Sequence, residues 1–354
     1  MRKNLVLLLA LLLGFSLALL PVAAQDTPVY EGPLWDAHAH PIPWVKPPLD
    51  VAAVDELFKE LKVVGGFLSL IHFNPGGSER AVRIAREQFS TTVFPFVAIE
   101  DFPKWVAQDP VHIKEQVAKI EKLLATGHVF GIGEIFTQFG TMRSLSCPCI
   151  EADSPQMMEL VALAARYNVI LQVHHTIVPV GDEAKGPRLD DWERFLAKST
   201  KAKLLMAHAG ITPEWLSDTG PKGGPAKLRE WLTKYPNLFV ELSWAANGPY
   251  YQRGIVVAGA FNPKLMSPMT ADGRTLRPEW RNLLEEFSDR FMAWGSDATF
   301  NYNADGTRRA LTQRELIEVI KLGVRNTREI LGQLSPETAR KIGYQNARNL
   351  LSYR

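Results

Sequence analysis

The sequence has very few cysteines, with only Cys147 and Cys149 among its 354 residues. A fold held together by several disulfides is therefore excluded, and the core must be stable without such bridges. The two thiols lie two positions apart with Pro148 between them, so a bridge would close a small, strained ring. A local disulfide and two free thiols both stay open for this pair, and metal ligation is a third reading.

The chain also lacks a block of basic residues, and its formal net charge is only +2. We therefore expect neither a nucleic-acid partner nor attachment to an anionic surface. A glycine-rich phosphate turn is missing after the first expected strand, which argues against a doubly wound dinucleotide-binding sheet. The remaining expected partner is a small-molecule substrate, and the sequence leaves the oligomeric state open.

Long apolar runs are scarce, and the only run close to the length of a membrane span lies near the N terminus. Basic residues precede the apolar segment Leu5–Leu20, and small residues follow it up to Ala24. This order is typical of a secretory signal peptide, here residues 1–24, with cleavage after Ala24; an uncleaved anchor is the alternative. We expect a secreted or periplasmic protein whose single domain, residues 25–354, makes no membrane contact after cleavage.

Short apolar runs that alternate with amphipathic helical patterns make up most of the remaining chain. Seven such runs follow the strand that leads into Asp36, and each fits a strand buried on both faces: Gly66–Ile71, Val93–Ile99, Val129–Gly133, Val169–Val173, Leu204–Ala207, Leu238–Leu242 and Phe291–Trp294. Eight strands that alternate with helices predict a (β/α)8 TIM barrel of the α/β class, with an open doubly wound sheet as the rival.

Two segments depart from a minimal barrel. The connection Ser243–Arg277, after the seventh strand, is far longer than a usual βα loop of ~2–6 residues. From Thr312 onward the pattern is helical, and its last part, ETARKIGYQNARNLL, predicts a final helix docked against the barrel.

Histidine or carboxylate side chains follow five of the predicted strands. They are His38 and His40 on the first strand, Glu134 on the fourth, His174 on the fifth, His208 on the sixth and Asp297 on the eighth. In a barrel the carboxyl ends of all strands meet at one face, where active sites lie. Each residue alone has an ordinary explanation, such as a hydrogen-bonded core histidine or a helix cap. Together they predict a centre for one or two divalent ions, with Zn²⁺ favoured by the imidazole and carboxylate ligands and manganese, iron or nickel as alternatives.

The motifs resemble those of the amidohydrolase superfamily, in the amidohydrolase-related (amidohydrolase 2) group that includes aminocarboxymuconate semialdehyde decarboxylase and many hydrolases. The matching stretches are DAHAH, YNVILQVHHT, KLLMAHAG, NLFVELSWA, FMAWGSDAT and KIGYQNARNLL, and the resemblance spans about Leu34 to Leu351. It implies that His38, His40 and Asp297 bind the more buried metal. His174 and His208 match ligands of a second metal, although the residue at His208 is a free base or electrophile in single-metal members.

One position departs from the pattern of many two-metal members, which carry a carboxylated lysine on the fourth strand. Glu134 stands there instead, as in TatD-type nucleases, in which this glutamate bridges two ions. A bridging role is our prediction because two divalent cations need more than one carboxylate nearby, and a carboxylate without metal is the alternative.

A mechanism follows from this ligand set. A divalent ion lowers the pKa of its bound water toward ~7, Asp297 would take and return the proton, and His208 or a second metal would polarise the substrate oxygen. The expected pocket side chains come from the loops after the strands, although surface or core positions explain each of them equally well: Trp44, Phe73, Arg143, His175, Trp244 and Tyr250.

Three functions remain open at this stage. The first hypothesis is a secreted metal-dependent hydrolase of a small ester, lactone or amide. The second is a metal-dependent non-oxidative decarboxylase of an aromatic or unsaturated carboxylic acid, and the third is a binding protein with an inactive site. The number of bound metals separates the first two, since the hydrolase is expected to need both ions and Glu134.

Overall fold

A computed structural model describes residues 28–40, 50–69, 77–87, 89–138, 150–175, 189–210, 224–243, 269–271, 274–297, 301–302, 308–309 and 312–352. Several predictions fall on residues outside these ranges: the signal segment 1–24, the two cysteines, Trp44, Phe73, Arg143, Trp244 and Tyr250. They stay predictions.

Eight parallel strands form one sheet in the order in which they occur along the chain. They are β1 (Leu34–Ala39), β2 (Val63–Leu68), β3 (Thr92–Val97), β4 (Gly131–Gln138), β5 (Ile170–His175), β6 (Lys203–Met206), β7 (Leu238–Glu241) and β8 (Phe291–Met292). Main-chain hydrogen bonds link the last strand to the first: the Ala37 amide donates to the Trp294 carbonyl (2.7 Å), and the Asp297 amide donates to the His38 carbonyl (2.8 Å). The sheet therefore forms a nearly closed barrel, and the predicted TIM barrel is confirmed.

Helices connect the strands and cover the outside of the barrel. They are α1 (Val51–Glu60), α2 (Gly77–Glu87), α3 (Phe102–Val106), α4 (Pro110–Leu124), α5 (Pro155–Tyr167), α6 (Leu189–Lys198), α7 (Gly224–Lys234), α8 (Pro278–Glu286), α9 (Gln313–Leu331), α10 (Pro336–Arg340) and α11 (Asn346–Ser352). A 3₁₀ turn, Ala207–Gly210, follows β6, a π-helical segment, Lys341–Gln345, joins α10 to α11, and two short antiparallel strands, β9 (Asn301–Tyr302) and β10 (Arg308–Arg309), follow β8. Among the described helices, none is both long and apolar enough to cross a membrane.

Local sequence signals explain where the longer helices begin. Asp109 caps α4 because its carboxylate accepts from the amides of Val111 and His112, and Pro110 occupies the first helical position. Thr312 and Glu315 form a reciprocal capping box at the start of α9. These caps satisfy amides that have no partner inside the helix.

The largest differences from the predicted strand bounds are in β2 and β4. β2 begins at Val63 rather than at Gly66, and β4 continues to Gln138 instead of ending near Gly133. Glu134 therefore lies inside β4 rather than at its carboxyl end. The longer strand arises because Ile135, Phe136 and Gln138 pair with Val173, His174 and His175 in the second half of β5, which supplies their backbone hydrogen bonds.

An aromatic cluster fills the amino-terminal end of the barrel. The Trp35 ring lies 5.6 Å from the rings of both Phe67 and Phe94, and Phe67 stacks on Phe96 at 5.1 Å. The C-terminal tail docks on this end, where the Tyr344 ring lies 6.4 Å from the Trp35 ring. The predicted helical tail is therefore present, and it covers the end of the barrel opposite the polar residues.

Candidate metal centre

All six predicted metal ligands come together at the carboxyl end of the barrel, and none is more than 5% exposed. Their nitrogen and oxygen atoms form three overlapping groups in which the candidate ligand atoms lie within 4.8 Å of one another: His38–His208–Asp297, His38–His40–Glu134 and Glu134–His174–His208. The strand order thus assembles residues that are far apart in the sequence into one buried cluster.

Glu134 lies at the centre of this cluster, with its two carboxylate oxygens directed at different histidine pairs. Its Oε2 atom lies 3.3 Å from His38 Nε2 and 3.9 Å from His40 Nε2. Its Oε1 atom lies 2.9 Å from His174 Nδ1 and 3.1 Å from His208 Nε2. A carboxylate placed in this way has one oxygen available to each of two metal positions.

Asp297 also contacts a histidine of each pair. Its Oδ1 atom lies 2.9 Å from His40 Nε2, and its Oδ2 atom lies 3.6 Å from His208 Nδ1. The side chain comes from the residues directly after β8, where the Asp297 amide is bonded to the His38 carbonyl. Closure of the barrel therefore sets the position of this carboxylate relative to the histidines of β1.

In His38, His40 and His208, the ring nitrogen on the side away from Glu134 has a fixed partner. These contacts are His38 Nδ1 with Glu241 Oε1 (2.8 Å), His40 Nδ1 with the Ser69 carbonyl (2.9 Å) and His208 Nδ1 with Ser243 Oγ (2.7 Å). A partner on the outer nitrogen fixes the tautomer and the ring orientation, as is usual for histidines that bind metals.

The protonation pattern that these partners impose suits a cation. A carbonyl oxygen only accepts, so His40 Nδ1 carries its proton, and the lone pair on Nε2 then faces Asp297 Oδ1 at 2.9 Å. In the same way, the carboxylate of Glu241 leaves the His38 Nε2 lone pair directed at Glu134. Two acceptors at such distances need a proton or a metal ion between them. Imidazole nitrogens with carboxylate oxygens form a donor set for divalent transition metals, so these residues fit a metal centre.

The pKa shifts of His38 and His208 also fit a cation site. Burial lowers the pKa of His38, but the carboxylates of Glu134, Asp297 and Glu241 outweigh burial and hold this pKa well above its usual value. The same balance of burial and carboxylates raises the pKa of His208 to about 9. Without metal, protonated imidazoles therefore supply the positive charge that the buried carboxylates require, and a divalent ion would replace those protons.

The surroundings shift the pKa values of three other buried groups, Glu134, His174 and Asp36, in different directions. Burial raises the pKa of Glu134, but charge on His38 and hydrogen bonds from the facing histidines lower it well below its usual value. Burial lowers the pKa of His174. Burial raises the pKa of Asp36 to about 6, although this carboxylate accepts hydrogen bonds from the amides of His38 (3.1 Å) and Ser296 (3.0 Å). Asp36 thus holds β1 against the residues after β8.

The backbone adopts uncommon conformations at the site. His208 and Asp297 have φ values of 56° and 38°, a left-handed region that residues other than glycine seldom occupy. Next to Glu134, Gly133 has φ 143°, and a Cβ there would lie 2.6 Å from the carbonyl oxygen of Gln172. A glycine is therefore required at the position that brings Glu134 into the centre of the barrel.

His175, predicted as a pocket residue, lies beside the cluster and is buried. Its ring stacks on Trp192 of α6 at 4.4 Å with an interplanar angle of 10°, and its Nδ1 atom lies 3.0 Å from Thr137 Oγ1. These contacts fix the ring against the barrel wall. Contact of His175 with a substrate stays a prediction.

Glu241 was missed by the sequence analysis, although the motif that contains it was noted. Its carboxylate is fully buried and contacts His38 and His208. The available signal was an acidic residue at the end of a buried apolar run, Leu238–Leu242, where a charge is costly unless it has a partner.

Solved structures with related folds cover most of this chain. A structure described as an amidohydrolase II shares 14% identity, with 90% of this chain and 99% of that chain covered and a TM-score of 0.50. A TatD homologue from Escherichia coli K12 shares 12% identity, with coverage of 91% and 98% and a TM-score of 0.51. A dihydroorotase from Campylobacter jejuni shares 16% identity, with coverage of 93% and 86% and a TM-score of 0.49. At these identities the likeness concerns the fold alone.

No curated protein matches this sequence significantly. The sequence profile of the amidohydrolase family, by contrast, matches residues 35–352, from β1 to the last turn of α11. The match includes every residue of the buried cluster. The chain therefore belongs to the amidohydrolase family, whose members are metal-dependent hydrolytic enzymes.

Proposed function

We propose that this protein is a two-metal hydrolase of a small ester, lactone or amide, with Zn²⁺ as the expected metal. The placement of Glu134 supports this proposal best, because each of its oxygens faces a different histidine pair. His38, His40 and Asp297 would hold one ion, His174 and His208 the other, and Glu134 both. Bound divalent ions would supply Lewis acidity and lower the pKa of a coordinated water toward ~7.

The side chains of the cluster would carry the proton transfers. Asp297 would accept a proton from the attacking water at Oδ2 and deliver it to the leaving group, while Oδ1 stays directed at His40. The outer contacts of His38, His40 and His208 would keep their rings in place while charge develops at the substrate. Burial of all six residues keeps bulk water away from these transfers.

Metal analysis of the purified full chain tests the proposal, together with a panel of small esters, lactones and amides. The native chain should contain two divalent ions, and Glu134→Gln should contain at most one and lose hydrolysis. Glu193→Gln is the control. The Glu193 carboxylate contacts Lys227 and Trp231 on the outer helices, so its loss should change neither the metal content nor the hydrolysis.

The decarboxylase alternative predicts a different outcome. One ion per chain, unchanged in Glu134→Gln, together with release of CO₂ from an aromatic or unsaturated acid, would replace the hydrolase proposal. A chain that binds metal but turns over neither panel would support the binding protein instead.

We also propose that the protein is exported, on the basis of the N-terminal pattern in the sequence. Intact-mass measurement of the protein produced by secreting cells should give a mature chain that begins at Gln25. A full-length mass would contradict cleavage.

A further inference from the structure

We propose that Glu241 is a positioning residue that couples the two metal positions, because it holds one histidine of each pair. This inference rests on the proposed two-metal function. Glu241 lies at the end of β7, behind the rings of His38 and His208 as seen from Glu134, and its side chain is fully buried.

The contacts of Glu241 extend to both histidine pairs. Its Oε1 atom accepts from the backbone amide of His208 at 2.6 Å and lies 2.8 Å from His38 Nδ1. Its Oε2 atom accepts from the backbone amide of Ser243 at 2.7 Å. His38 faces Glu134 Oε2 together with His40, whereas His208 faces Glu134 Oε1 together with His174.

The partners of Glu241 require an ionised carboxylate. The two backbone amides can only donate, and His38 Nδ1 donates when its Nε2 lone pair is used for a metal. Glutamine has almost the same shape, but it offers one acceptor oxygen and an NH₂ group. In either orientation its NH₂ would face an N–H group, at Ser243 or at His208, so Glu241→Gln must break part of this arrangement.

Glu241 also fixes a strained part of the backbone. The amide that donates to it belongs to His208, whose φ of 56° lies in the left-handed region. The rings of His38 and His208 stack at 4.8 Å with an interplanar angle of 12°, so movement of one ring displaces the other. Loss of the carboxylate should therefore weaken metal binding at both positions.

Ser243 provides a matched comparison within the same site. Its hydroxyl contacts His208 Nδ1 at 2.7 Å and, in the described part of the chain, it makes no side-chain hydrogen bond to His38 or His40. Ser243→Ala should thus weaken only the position served by His208 and His174. Asp55→Asn is the control for loss of any buried carboxylate, because Asp55 accepts from the Thr91 amide at 2.8 Å on the outside of the barrel.

The experiment loads each full-length variant with Zn²⁺, titrates it with a competing chelator and counts the ions retained. Glu241→Gln should raise the apparent Kd at both positions by roughly 10–100-fold. Ser243→Ala should raise one Kd only, and Asp55→Asn should raise neither although it unfolds more easily. Co²⁺ loading gives a second readout, since Glu241→Gln should alter the visible absorption of both ions.

Glu241→Asp keeps the charge and should recover part of the affinity at both positions; it also replaces the glutamine variant if that variant does not fold. The inference is wrong if Glu241→Gln weakens one position only or none, or if Glu241→Asp binds no better than Glu241→Gln. If the native chain binds two ions and Glu241→Gln binds both with unchanged Kd, this inference is wrong but the proposed function is not contradicted. A native chain that holds no second ion overturns both.

Discussion

The two ends of the barrel are built from opposite chemistry on the same strands. At the amino-terminal end, Trp35 packs with Phe67 and Phe94 and is covered by the C-terminal tail. Three residues further along β1, His38 enters a buried cluster of imidazoles and carboxylates. One strand thus supplies apolar burial at one end and candidate metal ligands at the other.

The difference lies in what each end contributes to stability. Burial of a large apolar side chain stabilises the fold by about 1.5–3 kcal/mol, so the aromatic end favours folding without any ligand. The carboxyl end buries several carboxylates and holds His208 and Asp297 in left-handed conformations, both of which cost free energy. The comparison indicates a division along the barrel axis: the aromatic end supplies stability, and the polar end supplies the candidate reactive groups. Three predictions test this division.

The largest effect is expected for Asp297→Asn at the polar end. The amide keeps the shape but cannot take up a proton, so kcat/KM for the identified substrate should fall about 10⁴-fold. Thermal unfolding of the same variant, measured with chelator, should change far less than its activity, because the carboxamide keeps the packing and loses only the charge interaction with His208. Steady-state kinetics and calorimetry measure the two quantities. A variant that unfolds easily and retains its activity would contradict the division.

Trp35→Ala should have the converse effect at the aromatic end. Removal of this buried ring leaves a cavity beside Phe67 and Tyr344 and should lower the free energy of unfolding by about 3–5 kcal/mol. The kcat of the folded variant should stay within a few-fold of the native value, since the ring does not contact the metal ligands. Denaturant titration gives the stability, with kinetics measured well below the midpoint. A large loss of kcat at unchanged stability would contradict the assignment of stability to the aromatic end.

The smallest effect concerns the pH dependence of the metal-free chain. The pKa of His208 is raised to about 9 and that of His38 also lies well above the usual value, so both imidazoles stabilise the fold when protonated. This contribution is complete below pH ~6.5 and is lost as the pH rises toward 9, a decrease of about 3 kcal/mol for His208 alone. The metal-loaded chain should show the opposite slope there, because metal ions and protons compete for the same nitrogens. Unfolding curves with chelator and with Zn²⁺ measure both slopes, and parallel slopes would contradict a metal site at these histidines.

Much of the barrel could be predicted because each buried strand is a short apolar run and several helices begin at a capping residue or a proline. The six clustered residues were also predictable, since the rule that strand ends share one face needs only the order of strands. The position of Glu134 within β4 was not predictable in this way. It depends on pairing with β5 and on the conformation of Gly133, neither of which leaves a local signal.

Glu241 illustrates a second limit. Its role depends on contacts with His38 and His208, which belong to two other strands, and a single acidic residue in an apolar run does not identify its partners. Pocket residues are harder still, because loops after the strands follow no periodic pattern. The stacking of His175 on Trp192, for example, is a tertiary contact between β5 and α6 that spacing along the chain does not indicate.

The hydrogen bond from the Asp297 amide to the His38 carbonyl has a consequence for the order of assembly. During synthesis, His38 and His40 emerge early, whereas Asp297 emerges only when most of the chain has been made. The complete ligand set therefore exists only after the first and last strands have met. If these residues bind the proposed metal, its complete site forms only in a barrel that has already closed, so the ion would bind late in folding.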